Sequence, residues 1–280
     1  MARKIYKKRR KFTFTKRYIF LAILFISLLF TGFYLKNKLM FYYVMYFKKS
    51  EHKTLVNSET ETHRIHKIIE KYSDKTFGMD ISHYQQKEDI EWDSLSIFNG
   101  AVSIDFVILR ATMGNRSTDK HFDEFWKLAK KNGKIRGAYH FYRADEDPEL
   151  QAKNFLKNVK LEIGDLPPVL DIEKIPRRKT KENLIKDLKI WCKTVEEKYG
   201  VKPIIYTYYD YYKNYLKGNF EDYSLWIANY NDVPEPSPND DWKFWQFTEN
   251  GIVYGINTKV DLNIFNGNLR DLKNLTIATH

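Results

Sequence analysis

Two carboxylates stand two residues apart near the middle of the chain. In Val169-Leu170-Asp171-Ile172-Glu173-Lys174, directly after Pro167-Pro168, acids alternate with aliphatic residues. Side chains alternate across a strand, so Asp171 and Glu173 share one face, and Leu170 and Ile172 the other. A strand that buried both acids among apolar neighbours would carry a large desolvation cost. Either that face is open to water, as on an edge strand, or the acids line a site. Carboxyl groups this close push their pKa values apart, so that one holds a proton while its neighbour stays ionised. The pair therefore has the makings of general acid–base chemistry.

The elements that must position such a pair are legible from Phe77 onward. Eight short β-rich runs recur: Phe77–Ile81, Phe106–Arg110, Ile135–Tyr142, Val169–Glu173, Pro203–Tyr208, Leu225–Asn229, Phe244–Thr248 and Val260–Phe265. Helical patterns separate the earlier ones, over Asp119–Asn132, Asp147–Val159 and Thr180–Tyr199. The last carries Leu184, Leu188, Trp191, Cys192 and Val195 on one stripe. After Tyr208 the gaps shorten and fill with Pro, Asn and Asp. Strands alternating with helices imply an α/β protein with a parallel sheet, and eight strands over about 190 residues imply a small closed barrel. In such barrels reactive groups sit at the C-terminal strand ends. Asp80 ends the first run, Asp171 and Glu173 end the fourth, and Asp261 lies in the eighth, beside the first. The four acids are expected to converge on one rim.

Composition bounds the partners. The 280 residues are 43% hydrophobic and 16% aromatic, enough for a core and for aromatic faces that stack on sugars. The formal charge of +11 is concentrated at one end: 13 of the 47 basic residues and no acid fall in residues 1–50, leaving 34 against 36 acids in the rest. The folded part thus has little of the basic surface that nucleic acid requires. The single cysteine, Cys192, excludes an internal disulfide, and no Cys/His cluster has metal-ligand spacing. No metal or other cofactor is called for.

Tyr18 to Leu35 has no charged residue over 18 positions, with nine basic residues before it and four between it and residue 50. This predicts a transmembrane helix with the N-terminus cytoplasmic and the remainder outside. A cleaved signal peptide is the competing reading, with a secreted product; the apolar run is long for one and no A-x-A-like site follows. The expected organisation is a basic tail over 1–17, an anchor over 18–35, a juxtamembrane stalk over 36–75, a barrel over 76–268 and a C-terminal tail over 269–280. The barrel domain is expected to be monomeric.

The runs FGMDISHYQ, FVILRATMG, GAYHFYR, PPVLDIE, PIIYTYY, LWIANYN, WQFTENGIVYGI and VDLNIF occur in this order. Together, over Phe77 to Gly267, they resemble glycoside hydrolase family 25, the N-acetylmuramidase lysozymes. The resemblance implies an irregular TIM-like (β/α)5β3 barrel. It also implies hydrolysis of the β-1,4 bond between N-acetylmuramic acid and N-acetylglucosamine in peptidoglycan glycan strands. By the same resemblance Glu173 matches the general acid, Asp171 its partner, and Asp80 and Asp261 the other two site acids, with net retention at the anomeric carbon. Glycosidic oxygen is a poor leaving group, so an acid of raised pKa must protonate it, and charge developing at the anomeric carbon must be met by a carboxylate or the substrate's own acetamido oxygen. Among the remaining candidates, Arg110 either binds a substrate carboxylate or carbonyl or pairs with a rim acid. His140 either bonds sugar or an acid or is a satisfied interior histidine. Tyr206, Trp226, Trp245 and Gln246 are candidates to line the groove, with core packing the alternative for the aromatics. A non-catalytic wall-binding protein on the same fold and a chitinase-like hydrolase are the competing functions.

Overall fold

The computed structural model describes residues 18, 20–32, 57–98 and 100–278. The chain divides into two units, Met1–Lys49 and Ser50–His280. In the first, residues 20–32 are helical. Among the described residues no helix is long and apolar enough to cross a membrane. The rest of the span expected at 18–35 lies outside them.

The second unit is built on eight strands: β1 (Thr76–Ile81), β2 (Phe106–Met113), β3 (Ile135–Phe141), β4 (Val169–Asp171), β5 (Ile204–Tyr208), β6 (Leu225–Ala228), β7 (Trp242–Gly251) and β8 (Val260–Phe265). All eight expected runs are strands. They are rich in β-branched and aromatic residues, which favour the pleated, half-buried surface of a sheet. Each strand pairs with the next, and β1 pairs with both β2 and β8, which closes the barrel. Neighbours from β1 to β7 run parallel, whereas β8 is antiparallel to β7 and to β1.

Strands alternate with crossover helices only from β2 to β5. Helix α2 (Phe122–Lys131) joins β2 to β3, α3 (Pro148–Asn158) joins β3 to β4, and α4 (Lys181–Tyr199) joins β4 to β5. Their ends follow local chemistry. Asp147 caps α3 by accepting from the Leu150 N–H, with Pro148 in the first turn. Thr180 caps α4 by accepting from Asn183, and Gly200 closes it at φ 72°, where a side chain would be strained. By contrast β1 and β2 are linked through a 3₁₀ turn and a short ribbon, and β5 and β6 through a single helical turn running into a wide turn.

The outer face of β7 is therefore left without a crossover helix, and an element from the expected stalk covers it. Residues Glu59–Lys71 form α1, capped by Ser58, with Arg64, Ile65, Ile68 and Ile69 buried. Just beyond α1, the Tyr72 ring meets Trp242 and Trp245 edge-on, at 6.2 and 5.7 Å, and its hydroxyl donates to the Pro234 carbonyl at 2.7 Å. Thr248 Oγ1 donates to Glu61 Oε1 at 2.6 Å, and Asn57 Nδ2 to the Asn250 carbonyl at 2.8 Å. The described part of the stalk thus belongs to the folded unit. The expected C-terminal tail does too: α5 (Leu269–Leu275) is capped by Asn268 and buries Leu272, and the Ile277 N–H donates to the Asp165 carbonyl at 2.8 Å.

Inside the barrel, Phe106, Val169, Ile204, Trp226, Phe244 and Phe265 form one buried cluster. A Cβ on Gly78 would stand 2.4 Å from the Phe106 ring, so glycine is required for that ring to fill the interior. Truncating Ile68 to alanine should remove about 2 to 5 kcal/mol from the unfolding free energy, because a buried isoleucine leaves a cavity. Urea denaturation of the 50–280 unit measures it; an unchanged midpoint would return this segment to the role of a loose stalk.

Candidate active site

Strand parity and the antiparallel closure together build the site. Asp80, near the C-terminal end of β1, is the register partner of Asp261, the second residue of β8. In a wholly parallel barrel Asp261 would sit at the opposite end; the reversal of β8 brings it to the acid rim. Asp171 ends β4 beside Tyr206 of β5. Glu173 follows just past the strand, on the same side as Asp171 and half-buried.

Asp80 is buried and held by two amides: Gln246 Nε2 donates to its Oδ2 at 2.7 Å, and Asn263 Nδ2 to the same oxygen at 2.8 Å. The orientation of both amides is dictated from behind. The Trp226 indole can only donate, and it donates to Asn263 Oδ1 at 2.8 Å, which turns the Asn263 nitrogen toward Asp80. Gln246 Oε1 accepts from the Tyr206 hydroxyl at 2.8 Å and from the Tyr230 hydroxyl, with the same result.

The two acids of the D-x-E pair are both shifted upward. Burial raises the Asp171 carboxyl well above the usual carboxylate range, and the charges of Glu173 and Asp80 add to this against the pull of Arg110. Its Oδ1 is buried without a hydrogen-bond partner among the described residues. Burial also pushes Glu173 up to about 7; Lys174 opposes this, and the charges of Asp261 and Glu249 add to it. Tyr139, Tyr208 and Tyr230 surround the acids. Burial, together with the charges of these carboxylates on Tyr139 and Tyr208 and of Asp261 and Glu173 on Tyr230, holds their hydroxyls protonated.

Other expected positions divide between the two faces of the sheet. Tyr206 and Gln246 point inward and join the acids. Trp226 also points inward but lies beneath them, edge-on to Tyr206 at 4.5 Å and only 2% exposed, so it supports the site from below. Arg110 is at the rim and paired: its Nε donates to Asp119 Oδ2 at 3.2 Å, its terminal nitrogen is ion-paired with the same oxygen at 3.1 Å, and it contacts His83 Nδ1. Burial and the Arg110 charge lower the His83 pKa, so this ring accepts as neutral imidazole.

His140 and Trp245 fall on the outward face and are not brought to the acids. His140 is fully buried, stacked on Trp191 of α4, with Nδ1 2.7 Å from Thr112 Oγ1 and Nε2 3.2 Å from Gln151 Oε1. The Arg143 N–H also donates to that Gln151 oxygen, so Nε2 carries the histidine proton and Nδ1 accepts from Thr112. Burial lowers the His140 pKa to about 4, which keeps it neutral. Trp245 donates to the Asn229 carbonyl at 2.9 Å and packs against Tyr72. Both are satisfied structural side chains. Among the described residues no three His, Cys, Asp or Glu side chains are grouped to hold a metal ion.

Besides Tyr208, which opens the YYDYY run and is a subsite candidate by sequence, four positions near the acids were not anticipated: Tyr139, Tyr230, Asn263 and Glu249. Tyr208 and Asn263 lie two residues beyond Tyr206 and Asp261, so strand parity alone places them on the inner face. Glu249 follows register shifts in the β7–β8 pairing, which defeat a parity count.

Replacing Gln246 with leucine should take a donor from Asp80 and the acceptor from two tyrosine hydroxyls. A cost of about 1 to 3 kcal/mol in unfolding free energy is expected, read by chemical denaturation. A neutral result would mean that the amide is dispensable to the network.

The family-model match agrees with this geometry: residues 79–256 match the model described as glycosyl hydrolases family 25. The protein YegX of Escherichia coli K12 is 36% identical over 197 residues, covering 70% of this chain and 71% of that relative. Lysozyme M1 of Streptomyces globisporus is 30% identical over 207 residues, covering 68% and 67%. Among solved structures, a family 25 glycosyl hydrolase from Bacillus anthracis superposes with a TM-score of 0.64 at 28% identity, covering 82% of this chain and 99% of that one. With the acid ring, the closed barrel and this breadth of match, the chain belongs to glycosyl hydrolases family 25 and is a glycoside hydrolase.

Proposed function

We propose that this enzyme is a muramidase that hydrolyses the β-1,4 bond between N-acetylmuramic acid and N-acetylglucosamine in peptidoglycan, with Glu173 as general acid. The observation that carries the assignment is the Glu173 carboxyl, pushed up to about 7 by burial in a ring of acids, so that it is still protonated near neutrality. The lysozyme name of the Streptomyces relative supports the substrate class.

In this reading Glu173 gives its proton to the glycosidic oxygen as the bond to the anomeric carbon breaks and the N-acetylglucosamine alcohol leaves. The acetamido oxygen of the muramic acid closes on the anomeric carbon from the opposite face. Asp171, which ends β4 on the same side as Glu173, steadies that group. Glu173, now a carboxylate, takes a proton from water; the water oxygen bonds the anomeric carbon, the acetamido oxygen is released, and configuration is retained. The Tyr208 hydroxyl, held protonated, is a donor for sugar oxygens, while Tyr230, whose proton goes to Gln246, can accept from a sugar hydroxyl. The proposal extends to location: residues 18–35 anchor the enzyme in a membrane with the catalytic unit outside, on the strength of the uncharged run and the basic residues before it.

Glu173→Gln should lower kcat by about 10² to 10⁴-fold, the usual contribution of a general acid. Release of reducing ends from purified peptidoglycan measures it, and mass spectrometry of the fragments should find muramic acid at the reducing end. Unchanged release would remove Glu173 from the role. The wild-type rate should fall as pH rises through about 7, where Glu173 loses its proton; a rate flat to pH 9 would refute the assignment. In cell fractions the full chain should resist alkaline carbonate extraction and yield to detergent. Release by carbonate would discard the anchor.

A further inference from the structure

The loops that follow β2, β3 and β4 are neighbours at the end of the barrel that carries Asp171 and Glu173, and their charges are sorted. The acids are turned inward or engaged by backbone. Asp119 is buried against Arg110. Asp145 accepts the Arg177 N–H at 2.9 Å and the Arg178 N–H at 2.9 Å. Glu146 Oε2 accepts the Asn115 N–H at 2.7 Å, and Asp147 caps α3. The cations Arg143, Lys174, Arg177 and Arg178 are exposed, Arg143 lying 3.5 Å from Glu146 Oε1, and among the described residues no backbone group takes up the charge of the three arginines. Asp145 and Asp147 are exposed as well, but backbone N–H groups occupy their carboxylates, whereas Arg177 and Arg178 keep their guanidinium groups for a ligand.

The loop bearing these cations is also pinned. The Tyr211 hydroxyl donates to the Lys174 carbonyl at 3.1 Å, Asp145 holds the backbone of Arg177 and Arg178, and Lys179 donates to the Glu146 carbonyl at 2.8 Å and to Asp187 at 2.6 Å. Two adjacent guanidinium groups therefore rise from a fixed backbone, a suitable arrangement for carboxylates. Lys174 directly follows Glu173, so the basic rim begins at the proposed acid.

We propose that this rim, centred on Arg177 and Arg178 with Arg143 and Lys174 beside them, binds the free carboxylates of the peptide carried on muramic acid. The inference rests on the muramidase reading. That peptide hangs from the 3-oxygen of the very sugar whose anomeric bond Glu173 would protonate, so it must leave the barrel mouth close to the acid. An acidic peptide complements the rim's charge, and the rim would favour peptide-bearing glycan over bare glycan.

The test uses the full chain on two substrates: glycan strands with their peptides, and the same strands stripped by an amidase. Wild-type kcat/KM should be about tenfold higher on the peptide-bearing strands at low salt, the scale of one or two charge-assisted contacts, and the preference should fade in high salt. R177A/R178A should lose it through KM, while kcat on stripped strands stays within about twofold. Amidating the peptide carboxylates should do the same to the wild type. Should the double variant unfold, as judged by thermal melting, Arg143→Gln and amidation carry the test. Equal rates on both substrates, equal damage by the variant on both, or a preference that follows wall phosphate polymer would overturn the inference. Release from neither substrate by wild type would instead overturn the muramidase reading beneath it.

Discussion

Several carboxyl groups share one small volume, and the chain must keep them there against their mutual repulsion. The answer lies at Asp80, where β1 meets β8 and the barrel closes. Two amide nitrogens converge on one oxygen of this side chain; the Trp226 indole, which can only donate, fixes the Asn263 amide, and two tyrosine hydroxyls engage the Gln246 oxygen. The network is fully satisfied, which is the condition under which buried polar groups rigidify a fold. Its members come from β1, β5, β6, β7 and β8 and from Tyr230 just after β6, so the acid ring exists only when the barrel is closed.

The barrel is lopsided, and the lopsidedness suits its use. Long crossover helices back β2 to β5, whereas β7 is backed by a helix that precedes the barrel in sequence. That arrangement frees the later connections to be loops. It also allows one strand to be reversed, because antiparallel neighbours need no crossover. Reversal of β8 is what delivers Asp261 beside Asp80.

Much of this was legible in the sequence. The eight runs, the helices that open at Asp147 and Thr180, and the sharing of a face by Asp171 and Glu173 follow from periodicity and side-chain chemistry. His140 and Trp245 show where such reasoning runs out: both are polar-capable residues near functional ones, but each sits one residue out of phase with its strand's inner positions. Tyr139 next to His140 is the inward member of that pair, and parity could have chosen it once one inward residue of β3 was known. The docking of helix α1 was hidden for a different reason. Its polar composition reads as solvated stalk, and only the bareness of β7's outer face gives its few isoleucines something to cover. Glu249 depends on irregular pairing, which no local pattern announces.

The aromatic filling of the barrel has a consequence for how a polymer can meet the enzyme. Phe106, Phe244, Phe265 and Trp226 plug the cylinder below the acids, and Gly78 exists to admit the first of them. The mouth is therefore a dish with a solid floor, not a tunnel. Nothing can pass through the cylinder, so whatever meets the acids must approach and leave from the one side on which they lie.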